Sequence, residues 1–415
     1  MKYGLIGEKL GHSFSKIIHA ELFDYEYELK ELSYEQLEGF MRERDFKGIN
    51  VTIPYKEAII PFLDEISESA AVIGAVNTVI NRGGRLYGDN TDFYGMKALI
   101  ERAGIAVRGK KVLILGSGGT SKTALAVAKA LGCASAERVS RSGGDCITYA
   151  EASERKDTDV IINTTPCGMF PDIGKRAIEV SSFPVLSGVV DAVYNPLRSK
   201  LVCDALTHGI PAVGGLYMLV AQAAVAAELF VGEKVAKEKI ESIYAKLLSE
   251  KQNTVLVGMP SSGKTTVGKI VSERRKTSFV DTDELIISHT GKPIADIIAG
   301  LGEKAFRDLE AEAVREASAM QGVVIATGGG AVLRKENVEL LRENGRIYFL
   351  DRPIEKLVPS DDRPLSSDRE ALQKRFEERY SIYCSCCDCR IVSPETPEAA
   401  ADAIEEDAKN ENFSC

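Results

Sequence analysis

The sequence predicts an α/β protein of more than one domain, built on parallel β-sheets that are covered by helices. In two places an apolar strand leads through a glycine-rich turn into a helix, at residues 110–124 and again at residues 254–271. Repeated strand–turn–helix units of this kind are typical of parallel sheets with helices on their faces. A chain of 415 residues is also too long for a single hydrophobic core. We therefore expect two or three domains.

Composition and charge narrow the class of function. The chain is 44% apolar and 27% charged, which is typical of a water-soluble protein. A net charge of −9 and the lack of a basic run argue against a nucleic-acid partner. The most apolar window, residues 216–232, is short for a membrane span and is interrupted by Gln222 and Glu228. We interpret this window as a buried helix and expect no membrane attachment.

The N-terminus and the cysteines indicate a compartment. The first residues lead directly into an apolar strand at residues 3–7, without the apolar core and cleavage site of a secretory signal. The nine cysteines lack the regular spacing of a disulfide framework, which suits reduced thiols. We expect a cytoplasmic protein. Its oligomeric state is left open, and a homodimer is one of the alternatives.

Four short polar motifs follow one another in the first hundred residues. They are His12-Ser13-x-Ser15, Asn50-Val51-Thr52-Ile53-Pro54-x-Lys56, Gly74-Ala75-Val76-Asn77-Thr78 and Asn90-Thr91-Asp92-x-x-Gly95. Taken singly, a serine before a helix is often a helix cap, and a lysine after a strand is usually solvated. In this order and at these distances, however, the motifs resemble shikimate dehydrogenase, and the resemblance extends to about residue 245.

The resemblance implies the roles of the residues in this first part. The residues that it implies for binding the substrate are Ser13, Ser15, Thr52, Asn77, Tyr194 and Gln222. Lys56 and Asp92 would form the catalytic pair. This assignment makes chemical sense, because reduction of a ketone needs a proton donor within about 3 Å of the oxygen that gains charge. The sequence departs from the family at Lys16, where proline is usual, and at Ala20, where asparagine is usual.

A dinucleotide-binding turn follows the strand at residues 110–115. Gly116, Gly118 and Gly119 would let a pyrophosphate approach the N-terminus of the next helix. Arg141 stands at the end of the following strand, where an acidic residue would bind the ribose diol of NAD. Because an arginine can pair with the 2′-phosphate instead, we predict NADP(H) as the cofactor. The alternative is that Arg141 is a solvated surface residue.

The second part of the chain begins with a phosphate-binding loop. Gly258-Met259-Pro260-Ser261-Ser262-Gly263-Lys264-Thr265 lies between an apolar strand and a helix that begins near Thr266. This arrangement directs backbone N–H groups and the positive end of the helix dipole toward the phosphates of a nucleotide. The residues predicted to bind the nucleotide are Gly258, Gly263, Lys264, Thr265 and Thr266. We therefore expect ATP with Mg²⁺ as cofactor.

Five further motifs follow the loop, namely Asp281-Thr282-Asp283, Phe306-Arg307-Asp308-Leu309-Glu310, Ala326-Thr327-Gly328-Gly329-Gly330, Asp362-Arg363-Pro364-Leu365 and Arg379-Tyr380-Ser381-Ile382-Tyr383. Together with the loop they resemble shikimate kinase. The resemblance implies that Thr265 and Asp281 serve the metal and that Asp283 takes the proton of the substrate hydroxyl. We place Asp281 and Asp283 at the end of one strand, two residues apart and on the same side. The substrate residues that the resemblance implies are Arg307, Gly328, Gly329, Gly330 and Arg379. Arg363, on a lid that lacks the usual basic stretch, would stabilise charge on the transferred group, and Lys264 would assist.

A cysteine-rich stretch, residues 384–389, raises the alternative of a metal or redox site. Its only zinc-like element is Cys386-x-x-Cys389, and no second pair stands at ligand spacing. We therefore favour packing of small apolar thiols over metal binding.

The sequence as a whole predicts a bifunctional enzyme of the shikimate pathway. The expected domains are a three-layer substrate domain at residues 1–100 with a return helix at 214–245, and a Rossmann-type NADP domain at 101–213. A linker at 246–253 and a P-loop kinase domain with a parallel sheet at 254–415 follow. The enzyme would reduce 3-dehydroshikimate to shikimate with NADPH and then phosphorylate shikimate with ATP. The alternatives are a kinase whose first module binds substrate without reducing it, and a ligand sensor without catalysis.

The cofactor assignment can be tested with Arg141→Ala. We expect the kcat/KM for NADPH to fall about 10- to 100-fold, because a charge-assisted contact with the 2′-phosphate is lost, while the kcat/KM for NADH stays unchanged. Steady-state kinetics with both nucleotides measure this difference. Equal efficiency with NADH in the unaltered protein, or an unchanged preference for NADPH in the variant, would contradict the assignment.

Overall fold

The computed structural model describes residues 1–11, 14–357, 369–392 and 395–411. The chain forms two compact units. The first consists of Met1–Met169, Lys175–Tyr194 and Asp204–Lys246, and the second of Phe170–Gly174, Asn195–Cys203 and Leu247–Cys415. Each unit is described by itself below.

The first unit begins with a mixed six-stranded sheet of order β2-β1-β3-β5-β6-β4. Its strands are β1 (Tyr3–Gly7), β2 (Tyr27–Glu31), β3 (Gly48–Val51), β4 (Glu65–Ile66), β5 (Thr78–Arg82) and β6 (Arg85–Asp89). Its helices are α1 (Ser15–Leu22), α2 (Tyr34–Glu43), α3 (Glu68–Ile73) and α4 (Thr91–Arg102). Strand β5 is antiparallel to both β3 and β6, and the other pairings are parallel.

The second sheet of this unit has the order β12-β11-β10-β7-β8-β9, and all its pairings are parallel. Its strands are β7 (Lys111–Leu115), β8 (Ser135–Ser140), β9 (Ile147–Thr148), β10 (Val160–Asn163), β11 (Gly188–Asp191) and β12 (Ala212–Val213). The helices that follow α4 are α5 (Gly119–Ala130), α6 (Tyr149–Ser153), α7 (Lys200–Thr207), α8 (Leu216–Val231) and α9 (Lys237–Lys251). Helix α8 is the buried apolar helix that the sequence predicts.

Helices α4 and α8 pack closely because α4 carries a glycine at the contact. A Cβ atom on Gly95 would lie 2.6 Å from the carbonyl oxygen of Met218 and 2.8 Å from Cβ of Gln222. Both distances are shorter than van der Waals contact, so a larger residue would push the helices apart. Gly95 thereby sets the position of Gln222 relative to the N-terminal turn of α4.

The second unit contains a five-stranded sheet of order β14-β15-β13-β16-β17, in which every pairing is parallel. Its strands are β13 (Asn253–Val257), β14 (Phe279–Asp281), β15 (Val324–Ala326), β16 (Gly345–Asp351) and β17 (Cys389–Val392). Its helices are α10 (Lys264–Arg275), α11 (Thr282–Thr290), α12 (Ile294–Ala319), α13 (Lys335–Asn344), α14 (Arg369–Cys386) and α15 (Pro397–Glu411). Apolar side chains of β13, β15 and β16 form its buried core.

Two short segments that precede α8 in sequence also belong to the second unit. The Leu197 main-chain N–H donates to Asn344 Oδ1 at 2.9 Å, and Lys200 Nζ lies 2.7 Å from Glu339 Oε2. Both contacts are made to α13, which explains why residues 195–203 cluster with this unit.

The structure differs from the sequence interpretation at two places. The expected linker at 246–253 is mostly regular structure, since α9 continues to Lys251 and β13 begins at Asn253. The strand expected to carry both carboxylates ends at Asp281, and Asp283 lies in the first turn of α11. The reason is that Asp281 caps this helix, its Oδ1 accepting a 2.9 Å hydrogen bond from the Asp283 N–H.

The packing at Gly95 predicts that Gly95→Ala destabilises the first unit. Although alanine favours a helix, the added Cβ would separate α4 from α8, and we expect a net loss of about 1–3 kcal/mol in the free energy of unfolding. Hydrogen exchange of α4 and α8 peptides in rising urea measures this locally.

The matched control for this change is Gly39→Ala in α2, an exposed helix position where an added Cβ meets no atom within 4 Å. That variant should gain about 0.5–1 kcal/mol from helix propensity. Equal stability of the Gly95→Ala and Gly39→Ala proteins would show that the α4–α8 contact tolerates a methyl group.

Candidate active sites

An ion pair joins the two residues expected to catalyse in the first unit. Lys56 follows β3, and Asp92 is the second residue of α4. Lys56 Nζ lies 2.6 Å from Asp92 Oδ2, and the two side chains keep exposed fractions of 23% and 15%. The carboxylate therefore orients the ammonium while both groups stay within reach of a small molecule. Such a pair can donate a proton to an oxygen that gains negative charge.

Hydrogen bonds connect the predicted substrate residues Asn77 and Gln222 through Thr91. Asn77 Oδ1 accepts from the Thr91 N–H at 2.7 Å, and Thr91 Oγ1 donates to Gln222 Oε1 at 3.2 Å. The Gln222 amide also donates to the Leu219 carbonyl at 3.1 Å. Sequence reasoning gave Thr91 no role, although it lies inside the quoted Asn90-Thr91-Asp92 motif. The structure makes it the link between the two amides.

The other predicted residues of this site lie at element ends of the same unit. Ser15 is the first residue of α1, and Thr52 is half-buried directly after β3. Tyr194 follows β11 and packs edge-on against Phe14, with ring centres 5.5 Å apart. Burial raises the pKa of Tyr194 above its ordinary value. Ser13 lies outside the described residues.

The glycine turn after β7 offers room for a pyrophosphate. Gly118 is the N-cap of α5, and a Cβ added at Gly118 or Gly119 would meet no atom within 4 Å. Gly116 has a φ of 118°, and a Cβ there would lie 2.5 Å from Thr164 Oγ1. Ser121, at the position of the usual third glycine, is buried and donates to the Gly118 carbonyl at 2.7 Å. An open helix N-terminus of this kind fits a dinucleotide.

Arg141 directly follows β8, and its side chain is exposed. The second strand of such a fold ends beside the adenosine ribose of the cofactor. The guanidinium is thus exposed to solvent at the strand end where the 2′-phosphate of NADP would lie.

The phosphate-binding loop of the second unit has the expected backbone. Gly258 and Gly263 have φ values of 150° and 95°, which L-residues with a side chain rarely adopt. Lys264 is buried, and its Nζ donates to the carbonyls of Gly258 and Met259, both at 2.9 Å. The ammonium therefore points into the loop, where the phosphates of a nucleotide would sit.

Oxygen ligands suited to Mg²⁺ lie beside this loop. Thr265 Oγ1 donates to Asp281 Oδ2 at 2.9 Å. Within the described part of the chain, no group of three or more His, Cys, Asp or Glu side chains could hold a metal ion alone. Mg²⁺ is commonly bound by one or two protein oxygens together with nucleotide phosphates, so a hydroxyl and a carboxylate at this place fit it.

One cavity of about 820 Å³ collects nearly all the predicted residues of the second unit. The predicted residues that line it are Gly263, Lys264, Thr265, Thr266, Asp281, Asp283, Arg307, Gly328, Gly329, Gly330 and Arg379. Gly258 lies at the base of the loop, and Arg363 lies outside the described residues.

Two carboxylates hold Arg307 in this cavity. Its guanidinium lies 2.8 Å from Glu310 Oε2 and 3.0 Å from Glu303 Oε1. Glu310 is fully buried, and burial raises its pKa although Arg307 opposes the shift. Burial by itself lowers the pKa of Arg307, but Glu310 and Glu303 outweigh it and raise that pKa. Sequence reasoning gave Glu310 no role; its spacing of three residues from Arg307 on one helix was the available signal.

The triple glycine lets backbone pack against these charged side chains. A Cβ on Gly328 would lie 2.6 Å from Asp283 Oδ1 and 2.9 Å from Glu310 Oε1, and one on Gly330 would overlap the Arg307 guanidinium. Arg379 Nη1 donates to the Gly329 carbonyl at 3.0 Å. Gly328 and Gly330 are therefore required because charged side chains occupy the space of a Cβ, and at Gly329 that space is taken by Pro260.

The cysteine-rich stretch contains one buried thiol, Cys386, two half-buried ones, Cys387 and Cys389, and an exposed one, Cys384. Burial raises the pKa of Cys386 to about 12 and that of Cys389 to about 11. All cysteines in the described part of the chain are free. Thiols with raised pKa values are poor metal ligands and nucleophiles, which supports a packing role.

Comparison with known families matches both parts of the chain. The model described as "Shikimate dehydrogenase substrate binding domain" matches residues 5–79, and the model described as "Shikimate kinase" matches residues 260–409. A protein of Clostridium perfringens named shikimate dehydrogenase (NADP(+)) is 38% identical over 270 residues, covering 59% of this chain and 97% of the relative. A protein of the same name from Geobacillus kaustophilus is 37% identical over 255 residues, covering 56% of this chain and 92% of the relative.

Solved structures agree with the dehydrogenase match. A chorismate mutase/shikimate 5-dehydrogenase fusion protein from Clostridium acetobutylicum superimposes with a TM-score of 0.56 at 34% identity, covering 59% of this chain and 96% of that one. A shikimate 5-dehydrogenase from Thermus thermophilus, solved with NADP(H) and shikimate, gives a TM-score of 0.54 at 28% identity, covering 59% and 99%. The predicted α/β class is confirmed.

Fold and matches together define an oxidoreductase joined to a phosphate-loop kinase. The chain belongs to the shikimate dehydrogenase family over its first part and to the shikimate kinase family over its second, and it is a bifunctional enzyme of the shikimate pathway. The predicted resemblance to both families is thereby confirmed. No helix in the described part of the chain is long and apolar enough to cross a membrane.

The burial of Glu310 predicts unequal roles for the two partners of Arg307. We expect Glu310→Ala to cost about 3–5 kcal/mol in the stability of the second unit, because it leaves a buried arginine without its buried partner. Glu303 has 51% of its side chain exposed, so Glu303→Ala should lower the stability of the second unit by less than about 1 kcal/mol. Urea unfolding followed by hydrogen exchange of α12 peptides measures both. Similar losses in the two variants would contradict the difference in burial.

Proposed function

We propose that the first module reduces 3-dehydroshikimate to shikimate with NADPH and that the second phosphorylates shikimate with MgATP to shikimate 3-phosphate. The observation that carries the first half is the 2.6 Å contact between Lys56 and Asp92 beside the amides of Asn77 and Gln222. The cavity that joins the phosphate loop to Asp283 and two arginines supports the second half.

In the first module, Lys56 would supply the proton for the carbonyl oxygen. NADPH, when bound, supplies the hydride. Asp92 keeps the ammonium in place and stabilises its charge, since the ion pair is partly shielded from water. Asn77 and Gln222 are polar groups that a polyhydroxy ring can bond, and Thr91 holds both in fixed orientation. The contribution of such a proton donor is commonly about 10²–10⁴-fold in rate.

In the second module, Asp283 would accept the proton of the attacking hydroxyl. Its N–H is bonded to Asp281, and its carboxylate lies against Gly328, so the side chain has little freedom to turn. Lys264 and the loop N–H groups would hold the phosphates of MgATP, which supplies the phosphoryl group. Arg307 and Arg379 would bind the substrate carboxylate. Catalysis of phosphoryl transfer rests mainly on such positioning and on charge stabilisation.

The test is a product analysis by mass spectrometry with 3-dehydroshikimate, NADPH and MgATP, leaving out one nucleotide at a time. Shikimate should form without ATP, and shikimate 3-phosphate should form only when both nucleotides are present. Phosphorylation of added shikimate without any reduction of 3-dehydroshikimate would instead show that the first module only binds substrate.

Two variants serve as controls for each other in this assay. Lys56→Met should lower the rate of reduction about 10²–10⁴-fold and leave the phosphorylation of added shikimate unchanged. Asp283→Asn should lower the rate of phosphorylation and leave the reduction of 3-dehydroshikimate unchanged, because it keeps the size of the side chain and removes the base. Near-normal turnover of either variant in its own reaction would refute the role given to that residue.

A further inference from the structure

Arg375 on α14 lines the kinase cavity, and none of the roles described above includes it. It precedes Arg379 by four residues, so the two side chains leave the same face of the helix, one turn apart. Arg307 lines the same cavity from α12. Four arginines therefore border one space: Arg352, which follows β16, and the three on α12 and α14.

The three arginines differ in the partners that the protein provides. Arg307 is paired with Glu303 and Glu310, whereas Arg379 donates to one neutral carbonyl, that of Gly329. The Arg375 side chain makes no ion pair or hydrogen bond with any residue in the described ranges, and its Nε is buried without an acceptor. The Nε of Arg379 is likewise buried and has no acceptor among the described residues. Buried charged donors without acceptors are costly, so this pair is suited to an anion from outside.

The charges around Arg375 support the same interpretation. Burial lowers its pKa, and the neighbouring Arg379 and Arg307 lower it further, while Glu303 and Glu378 act in the opposite direction. The acidic groups near it are thus exposed helix residues or are already engaged by Arg307. An anion between Arg375 and Arg379 would relieve the repulsion between two arginines one helical turn apart.

The position of this pair favours the substrate over the nucleotide as its ligand. The phosphate loop has its own cation for a nucleotide, Lys264, whose Nζ donates to the carbonyls of Gly258 and Met259. Arg379 instead contacts Gly329, the neighbour of the glycine that packs on Arg307. Arg375 therefore lies in the cavity with Arg379 and Arg307, the two arginines to which the proposed function gives the substrate carboxylate.

On the basis of the proposed function, we propose that Arg375 is a substrate-binding residue that contacts the carboxylate of shikimate together with Arg379. The planar fork of an arginine matches a carboxylate, and two such forks make recognition strict for a charged, planar group. The kinase module thereby gains a specificity-determining residue beyond Arg307 and Arg379.

The test compares Arg375→Met and Arg375→Lys with the control Lys374→Met, which removes a charge from the neighbouring exposed position of α14. With saturating MgATP, Arg375→Met should raise the KM for shikimate about 10- to 100-fold and change kcat by less than about threefold. The KM of Arg375→Lys for shikimate should lie between those of Arg375→Met and the unaltered enzyme, because lysine keeps the positive charge but lacks the planar guanidinium fork. Lys374→Met should match the unaltered enzyme, and the KM for MgATP should stay constant in all variants.

A second measurement uses the methyl ester of shikimate, which lacks the carboxylate charge. The unaltered enzyme should use the ester far less efficiently than shikimate, and Arg375→Met should show a penalty at least tenfold smaller. An identical penalty in both proteins would show that Arg375 does not contact the carboxylate. A raised KM for MgATP with an unchanged KM for shikimate would place the residue at the nucleotide and overturn the proposal.

Failure of the proposed function can be told apart from failure of this inference. If the unaltered enzyme does not phosphorylate shikimate, the proposed function fails, and the dissociation constant of shikimate measured by calorimetry then tests Arg375 directly. A tenfold weaker constant in Arg375→Met supports the contact, and equal binding or no binding to either protein overturns it. NADPH-dependent reduction by the same chain and the urea unfolding of α14 confirm that each variant is folded.

Discussion

Close contact between backbone and functional groups at glycine positions determines the geometry of all three sites. At Gly95 the absence of a side chain lets α8 approach α4, which brings Gln222 to the turn that begins with Thr91. At Gly116 the backbone lies against Thr164, and this shapes the open turn for a dinucleotide. At residues 328–330 the space of each missing Cβ is occupied by a neighbouring side chain, the carboxylates and guanidinium of the kinase site among them. Interiors are packed too densely to absorb even one methyl group at such points.

The charged groups of both proposed active sites are held by partners within the protein. Lys56 is held by Asp92, Arg307 by Glu310, and Lys264 by the carbonyls of its own loop. Groups that are already oriented need little reorganisation during the reaction, which is the main source of electrostatic catalysis in a site that excludes water. The buried Nε atoms of Arg375 and Arg379 have no acceptor among the residues that the structure describes, so the charge of a ligand would interact most strongly there.

Much of the fold and part of the site could be predicted because the signals are local. Each glycine turn sits between a strand and a helix within about twenty residues, so pattern alone placed the cofactor turn and the phosphate loop correctly in secondary structure. Thr91 was missed because its role depends on Gln222, 131 positions away in sequence. Asp283 was placed at a strand end because two aspartates with one residue between them fit a strand as well as a helix cap. Only the hydrogen bond from the Asp283 N–H to Asp281 shows that Asp283 begins a helix and does not end a strand.

The sequence by itself determined which chemical groups this protein carries and in what local setting, since a motif fixes residue type, spacing and the neighbouring backbone. That was sufficient for the α/β class and for both families. The tertiary structure decided which charges are paired, which are buried and which remain open, as Glu310, Glu303 and Arg375 show on one cavity. The physical reason is that burial and pairing arise from contacts between distant elements. The same arginine can be a solvated surface group or a ligand-binding group depending on what packs around it.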